Sequence, residues 1–376
     1  MTQLETLIQT LCPNGVKFVK LGEVAEVGTG RSNGNEAIET GEYPFFVRSK
    51  DVKRLDKFEF DEEAIIIPGE GGIGEIFHYI NGKYALHQRV YRIHFLTNEV
   101  NVKFAYFYMS AMFKSYIMMK AVSATVTSIR KPMIENFQIP LPPLAVQSEI
   151  VRLLDKFTLY KSELAAELAA RLQQYEYYRD QLLTFDDTVK RVKLGEVGKM
   201  QYGYPFNASL FTDEKNDKPI IRIRDVVPAY ANTYYNGNVD DLENYIIRRG
   251  DMLVGMDGYF NMAKWNDDNA YLNQRVCKIS TANSKVVLDG FLFHFLKPTF
   301  KIIEQNTAGG SVIHLSAKVI NNILIPLPPL SEQERIVSIL DRFDKLCHDI
   351  REGLPAEIEL RQKQYEYYRD KLLTFG

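Results

Sequence analysis

The chain carries the same set of motifs twice, which constrains its fold more than any other feature. Three motifs recur in the same order: VKLGEV at 19–24 and 192–197, IPLPPL at 139–144 and 325–330, and QYEYYRD at 174–180 and 364–370. Matches that keep their order define a duplicated unit of about 180 residues. The fold is therefore expected to contain two similar halves.

The first part of each copy predicts a mixed α/β domain. Short β-like runs such as AIIIP at 64–68 and DMLVGM at 251–256 alternate with Gly- and Asn-rich loops. FAYFYMSAMF at 104–113 is apolar on all sides. This run is too short to cross a bilayer, which takes about 20 residues, so it predicts a buried helix.

The second part of each copy predicts a long amphipathic helix that begins after LPPL. Apolar residues from Ile150 to Leu182 recur about every 3.6 positions, as along one face of a helix of roughly 40 residues and about 60 Å. The second copy repeats this pattern from Ile336 to Leu372. Gly353 and Pro355 lie inside that run and predict an interruption.

Together these patterns predict an α/β (α+β) fold with two globular domains joined by two long antiparallel helices. The helices would form a coiled coil in a pseudo-two-fold particle. Residues 8–21 resemble 181–194, so the N-terminus should complete the end of the second helix and the chain ends should meet. The predicted boundaries are 1–142 for the N-terminal segment and domain 1, 143–187 for helix 1, 188–328 for domain 2, and 329–376 for helix 2.

Composition restricts the class of protein. The three cysteines are an odd number without metal-ligand spacing, which fits a reducing cytosol, and the N-terminus lacks a signal-peptide pattern. We therefore expect a cytoplasmic protein with no membrane partner. The net charge is −2, but residues 189–328 carry 17 Lys/Arg against 14 Asp/Glu. Any contact with phosphate would therefore be made by a local basic patch.

The motifs resemble those of the specificity subunits of type I restriction–modification systems. The resemblance rests on VKLGEV opening each copy, on IPLPPL followed by Gln147 or Gln333, and on YEYYRD closing each helix, and it covers residues 8–376. It implies two target-recognition domains that bind an asymmetric, bipartite sequence in double-stranded DNA. It also implies two modification (methyltransferase) subunits and restriction subunits as partners. The chain itself would be non-catalytic and bind no cofactor, with S-adenosylmethionine, ATP and Mg on the partner subunits.

Comparing the two copies suggests which residues contact DNA. Positions that differ are candidates for reading bases of an asymmetric target, and polar side chains there can match base edges. They are Arg31, Ser32, Asn33, His87, Thr125, Thr127, Ser128, Arg130 and Lys131 in the first copy, and Tyr204, Asn207, Asn273, Ser311 and His314 in the second. Basic positions that agree suit the DNA backbone or brace the fold. They are Arg48, Lys50, Arg89, Arg222, Arg224 and Arg275.

The duplicated tyrosines suggest a partner that is held twice, because tyrosine supplies large, rigid contact area at interfaces. The candidates are Tyr175, Tyr177, Tyr178, Tyr365, Tyr367 and Tyr368. Tyr175 and Tyr178 also fit the seam between the helices, and that alternative stays open. Tyr177 and Tyr367 lie off the apolar stripe, which favours contact with a partner.

Two other functions fit parts of the sequence. GEGGIG at 69–74 has the spacing of a dinucleotide-binding loop, but EIFHYINGKY after it predicts a turn between strands instead of the helix such a site needs. We find no catalytic residue set. The alternatives to the specificity subunit are a stand-alone DNA-modifying enzyme and a coiled-coil scaffold with two domains that bind other ligands.

Overall fold

The computed structural model describes residues 3–120, 128–307, 314–348 and 352–375. The chain divides into two compact units, unit 1 with residues 1–166 and 357–376 and unit 2 with residues 167–356. Each unit combines one globular block with segments of the long helices. The boundaries predicted from the sequence separate functional domains from spacer helices, which is a different division from these compact units. Those boundaries therefore stay a prediction.

Unit 1 is a mixed α/β block followed by a long helix, which continues beyond residue 166 into unit 2. Its elements are α1 (Gln3–Leu11), β1 (Phe18–Lys20), α2 (Leu21–Val24), β2 (Ala25–Thr29), β3 (Tyr43–Phe46), β4 (Val52–Leu55), β5 (Phe60–Pro68), β6 (His78–Leu86), β7 (Val90–Phe95), α3 (Val102–Lys120), α4 (Lys131–Glu135), β8 (Gln138–Pro140) and α5 (Leu144–Leu182). Six strands form one sheet in the order β2-β7-β5-β6-β3-β4, and β1 pairs with β8. β3 runs parallel to β6, and the other pairs are antiparallel.

Unit 2 repeats this plan with a divided sheet. Its elements are β9 (Arg191–Lys193), α6 (Leu194–Val197), β10 (Gly198–Tyr202), β11 (Phe211–Thr212), β12 (Lys218–Ile221), β13 (Thr233–Tyr235), β14 (Ile246–Ile247), β15 (Met252–Gly255), β16 (Met262–Lys264), β17 (Ala270–Leu272), β18 (Val276–Thr281), α7 (Asp289–Thr307), α8 (Ala317–Asn321), β19 (Leu324–Pro326), α9 (Leu330–His348) and α10 (Leu354–Leu373). α10 crosses the boundary and continues into unit 1. The sheets are β10-β18-β15-β16 and β11-β13-β12-β17-β14, and β19 pairs with β9.

The division of the sheet comes from an interrupted strand. In unit 1, β6 is nine residues long and pairs with β5 at one end and with β3 at the other. In unit 2, its counterpart is split into β16 and β17, which pair with β15 and β12 respectively. Trp265 occupies the break, fully buried, and its indole N–H donates to the Asp268 carbonyl at 2.8 Å. The sequence did not predict this break.

The predicted helices form as expected. α5 is continuous over 39 residues, which corresponds to about 58 Å. α9 ends at His348 and α10 begins at Leu354, so the predicted interruption is confirmed, with residues 349–351 outside the described part. Pro355 then lies in the first turn of α10, where its missing N–H costs no hydrogen bond.

Within each unit the long helices pack antiparallel. In unit 1, Phe157 of α5 stacks on Tyr368 of α10, and Lys161 donates to Gln362, so residue numbers rise on one helix as they fall on the other. In unit 2, Tyr178 contacts Phe343 and Tyr175 contacts His348, both with ring centroids 5.8 Å apart, so the residue numbers again run in opposite directions. The stripe is not uniformly buried: Tyr160, placed in it by the sequence, is 50% exposed.

The two chain ends share one core, as the sequence predicted. Leu4 of α1 lies in the same apolar cluster as Leu373 of α10, with Leu7, Ile8 and Phe375 packed around it. Burial of this apolar surface favours the contact. The N-terminal segment thus completes unit 1.

A buried glutamine fixes the start of the long helix in each unit. The Gln147 side chain donates to the carbonyls of Glu99 (2.8 Å) and Pro142 (2.7 Å) and accepts from the backbone N–H of Asn101 (2.8 Å). Gln333 makes the same three kinds of bond with Val286, Pro328 and Leu288. Both side chains are fully buried, so the motif glutamine ties the helix to the block that precedes it.

Candidate nucleic-acid interface

The loops between strands form a concave surface in unit 1. Asn33 follows β2, Arg48 follows β3, and His87, Gln88 and Arg89 connect β6 to β7, and all five line one depression. A neighbouring depression shares Arg48 and His87 with it. We call residues 31–36, 47–53, 69–72 and 87–89 the loop surface of unit 1. Several predicted DNA contacts therefore lie together.

One carboxylate joins two arginines on this surface. Arg89 Nη1 donates to Glu70 Oε1 at 2.6 Å, and Arg48 Nη1 donates to Glu70 Oε2 at 3.2 Å. These bonds hold the pKa of Glu70 below its usual range, so the carboxylate is ionised at neutral pH. Both arginine side chains remain more than half exposed.

Unit 2 has a matching carboxylate. Arg275 Nη1 donates to Asp257 Oδ2 at 2.7 Å, and His314 Nδ1 lies 2.5 Å from Asp257 Oδ1. We call Tyr204 and residues 257–259, 273–275 and 314 the loop surface of unit 2. The second partner of the acid thus differs between the units, arginine in one and histidine in the other.

Backbone hydrogen bonds establish that the two acids are equivalent. Gly69 N donates to Arg89 O, and Met256 N donates to Arg275 O. Gly69 directly precedes Glu70, and Met256 directly precedes Asp257. The two acids are therefore equivalent, and they lie 187 positions apart in the sequence, whereas the two arginines lie 186 positions apart. Because the spacings differ by one residue, aligning the two copies at the arginines does not align the acids.

Three predicted base-reading residues are buried, and whether they contact DNA stays a prediction. Ser32 Oγ donates to Glu59 Oε1 at 2.5 Å, and the imidazole of His87 accepts from the backbone N–H of Arg89 at 3.0 Å. Asn273 forms a backbone bridge to Tyr204 as His87 does to Ser32. Their exposures are 2%, 7% and 7%, so these side chains shape the loops from within. Burial and the nearby arginines lower the pKa of His87, which keeps it neutral.

Four other candidates of unit 2 have structural partners. Asn207 caps the turn that follows it by accepting from Ser209 N. The Arg222 guanidinium lies over the ring of Phe211, and Arg224 donates to Thr233 Oγ1 at 2.8 Å. Tyr204 is partly exposed and packs on Phe206 and Tyr245.

The remaining candidates are exposed or lie outside the described residues. Exposed side chains are Arg31, Asn33, Lys50, Arg130 and Lys131, and Ser128 is half-buried. Lys131 pairs with Glu135 at 3.5 Å. Thr125, Thr127 and Ser311 fall in segments outside the described part of the chain. Whether any of these side chains contacts DNA stays a prediction.

Sequence comparison missed three residues of these surfaces. Glu70 and Asp257 were hidden by the offset, although an acid follows the strand in each copy. Tyr259 is 68% exposed beside Asp257, and the amine of Lys301 lies 6.0 Å from its ring centroid. The signal available in the sequence was a tyrosine in the glycine-containing loop DGYF at 257–260.

The tyrosine segments have the same geometry in both units. Tyr177 and Tyr367 are 62% and 63% exposed, and each packs edge-on against the next tyrosine, Tyr178 or Tyr368. Beyond each pair, an arginine binds the adjacent aspartate. The two copies therefore display the same aromatic surface.

Tyr175 is buried inside unit 2, and Tyr365 is partly buried against the core of unit 1. Tyr175 is 4% exposed, packs against Phe343 in the core of unit 2, and burial raises the pKa of its hydroxyl. Tyr365 packs against the core of unit 1 and its pKa is raised for the same reason. This packing fits the seam alternative, and partner contact by these two rings stays a prediction.

The glycine-rich motif forms a turn and not a nucleotide site. β5 ends at Pro68 and β6 begins at His78, so no helix follows the glycines, as the sequence predicted. The turn predicted within EIFHYINGKY is wrong, because residues 78–86 form one continuous strand. Gly71, Gly72 and Gly74 have positive φ angles, which explains the glycines. Among the described residues, no cluster of His, Cys, Asp or Glu is arranged to hold a metal, and no helix is long and apolar enough to cross a membrane.

Comparison with known proteins identifies the family. The family model described as the type I restriction modification DNA specificity domain matches twice, at residues 13–174 and 186–360. The chain belongs to this family. The specificity subunit predicted from VKLGEV and IPLPPL is thereby confirmed, as is the mixed α/β fold with two domains.

Two specificity subunits illustrate the similarity. A type I restriction enzyme specificity subunit of Haemophilus influenzae is 30% identical over 406 residues, which cover 100% of this chain and 99% of the relative. The EcoR124I/EcoR124II specificity subunit of Escherichia coli is 37% identical over 259 residues, 63% of each chain. The crystal structure of an S subunit from M. genitalium shares the fold, with a TM-score of 0.64, 15% identity, and coverage of 96% of this chain and 97% of that one.

Proposed function

We propose that each unit of this specificity subunit reads one half of a bipartite, asymmetric sequence in double-stranded DNA. The observation that carries the proposal is the repetition of the specificity domain, with an exposed arginine held on a loop surface in both copies. Arginines suit both base edges and phosphates. Because the surrounding side chains differ between the units, the two halves of the target should differ in sequence.

The long helices would set the gap between the two half-sites. α5 contributes residues to both units and is unbroken, which supports such a role. Four residues inserted after Ala166 should therefore lengthen the gap and leave both half-sequences unchanged. A changed half-sequence would contradict this function of the helix.

The duplicated tyrosine surfaces would hold two modification subunits, one on each copy, and restriction subunits would join that complex. S-adenosylmethionine, ATP and Mg would bind to those partners, and the chain itself would catalyse no step. The complex would act in the cytoplasm, where its DNA substrate is found. The exposed Tyr177 and Tyr367 support two equivalent docking positions.

Native mass spectrometry tests this stoichiometry. The wild-type chain should bind two modification subunits, Tyr177→Ala or Tyr367→Ala should leave one strongly bound, and the double variant should lose both. Tyr160→Ala removes an exposed tyrosine of α5 outside the repeated segment and serves as the matched control. Two bound subunits on the double variant would contradict the proposed docking surface.

A methyl-transfer assay tests the function as a whole. The purified chain with labelled S-adenosylmethionine and DNA should transfer no methyl group, whereas addition of the modification subunit should produce transfer at one bipartite motif. Transfer by the chain alone would favour a stand-alone DNA-modifying enzyme. A complex with no salt-dependent affinity for duplex DNA would favour a scaffold with other ligands.

A further inference from the structure

Each unit holds an exposed arginine with a carboxylate at the same place in the fold. The two bonds, Arg89 to Glu70 and Arg275 to Asp257, measure 2.6 and 2.7 Å. Each arginine is the last residue of a turn, Arg89 directly before β7 and Arg275 directly before β18. We call each arginine with its acid a clasp. The clasp thus recurs in two loop surfaces whose other side chains differ.

The clasp does not stabilise the interior. The side chains of Arg89 and Arg275 are 59% and 62% exposed, and exposed ion pairs contribute little to folding. Among the described residues, only Nη1 of each guanidinium has a hydrogen-bond partner. The edge formed by Nε and Nη2 therefore remains open to a ligand.

The backbone also holds the arginine of unit 2 in an unusual conformation. Arg275 has a φ of 72°, in the left-handed region that residues with a side chain seldom adopt. Its carbonyl accepts from Met256 N at 2.8 Å, which fixes the turn. Backbone strain of this kind concentrates at functional sites. Glycine would adopt this conformation without strain, yet the chain has arginine at this position.

The chemistry of the clasp favours a base over a phosphate. An ionised carboxylate beside the guanidinium repels phosphate and offsets the positive charge that would attract it. It also limits the rotamers of a long side chain, so the open edge has a defined direction. Guanine presents two neutral acceptors, N7 and O6, in the major groove, and they match two N–H groups of arginine.

We propose that Glu70 and Asp257 are positioning residues, each of which orients its arginine to read one guanine, with one guanine in each half-site. This inference rests on the proposed function and adds the class of base that each unit recognises. The second partner of each acid, Arg48 or His314, would give the two guanines different neighbours.

Selection of duplexes from a randomised library tests the inference, with the full chain in complex with its modification subunit. The wild type should select a guanine in each half-site. Glu70→Gln should relax one of these positions and Asp257→Asn the other, each by about 5- to 150-fold, the value of one bidentate base contact. Non-specific affinity should stay the same or rise, because a negative charge has been removed.

Two further variants separate a positioning role from charge and folding. Glu75→Gln removes the same charge from an exposed acid that pairs with Lys114 and touches neither arginine, so both guanines should persist. Arg89→Lys keeps the positive charge but cannot form the two-pronged contact, so it should lose the guanine while the dependence of affinity on salt is unchanged.

The outcomes distinguish this inference from the proposed function. If the wild-type complex selects no motif, the proposed function fails. If it selects a motif that Glu70→Gln and Asp257→Asn leave intact, the clasp has no role in specificity and the inference fails. If Arg89→Lys keeps both the guanine and its affinity for DNA, as expected of a phosphate contact that needs only the positive charge, the inference is also overturned.

Discussion

Replacing Gln333 with alanine should destabilise unit 2 strongly. The change removes three hydrogen bonds from a fully buried side chain, whose distances are 3.0 Å from Leu288 N, 3.1 Å to Val286 O and 3.0 Å to Pro328 O. One N–H and two carbonyls then lack a partner, at a cost of about 1–3 kcal/mol each before relaxation. Since the enlarged space can admit water, we expect a total loss of about 3 kcal/mol.

The single tryptophan makes this loss measurable in unit 2 alone. Trp265 is the chain's one tryptophan and is buried in that unit, so its fluorescence reports on the unit's unfolding. With an m-value of about 2 kcal/mol/M in urea, a loss of 3 kcal/mol lowers the midpoint by about 1.5 M.

Two controls make the measurement decisive. Gln173→Ala changes an exposed glutamine of α5 and should shift the midpoint by less than about 0.25 M, which corresponds to 0.5 kcal/mol. Gln147→Ala should weaken unit 1, seen by circular dichroism, more than it alters the Trp265 transition. A Gln333→Ala shift no larger than that of Gln173→Ala would refute the account of the motif glutamine.

Two further predictions concern packing and pH. A Cβ at Gly30 would lie 1.8 Å from the Leu86 carbonyl oxygen, so Gly30→Ala should cost about 3 kcal/mol by calorimetry, whereas Gly34→Ala meets only ordinary contacts and should be tolerated. Burial raises the pKa of Asp344, but the hydrogen bond with His348 and nearby positive charge outweigh it and bring the pKa to about 2. Stability from this carboxylate is therefore present above about pH 4 and lost as pH falls towards 2. In urea titrations at pH 6 and pH 3, Asp344→Asn should reduce the difference between the two midpoints, and an unchanged difference would contradict the assignment.

The sequence predicted the helices well because their signals are local. The 3.6-residue spacing identified α5, and Ile150 and Leu154 are buried as expected. Gly353 and Pro355 marked the break before α10, because neither residue supports a helix interior. The contact between the two chain ends was also predicted, because residues 8–21 resemble residues 181–194.

The strand break and the site residues depended on tertiary contacts that no local pattern records. Trp265 is buried where the strand breaks, although tryptophan is common in strands. Differences between the copies selected both surface residues such as Asn33 and buried ones such as His87, since a changed side chain can serve either packing or recognition. The equivalence of Glu70 and Asp257 could be recognised only from backbone hydrogen bonds in the structure.

The most direct test of the central claim is the methylome of a cell that lacks other methyltransferases and expresses this chain with its modification subunit. Because two units read the DNA, the methylated motif should consist of two defined sequences. They should be separated by a gap of constant length in which any base is accepted. The variant Asn33→Ala, on the loop surface of unit 1, should alter one part only. A continuous motif, or a change in both parts from this single substitution, would contradict the claim that each unit reads its own half of the DNA.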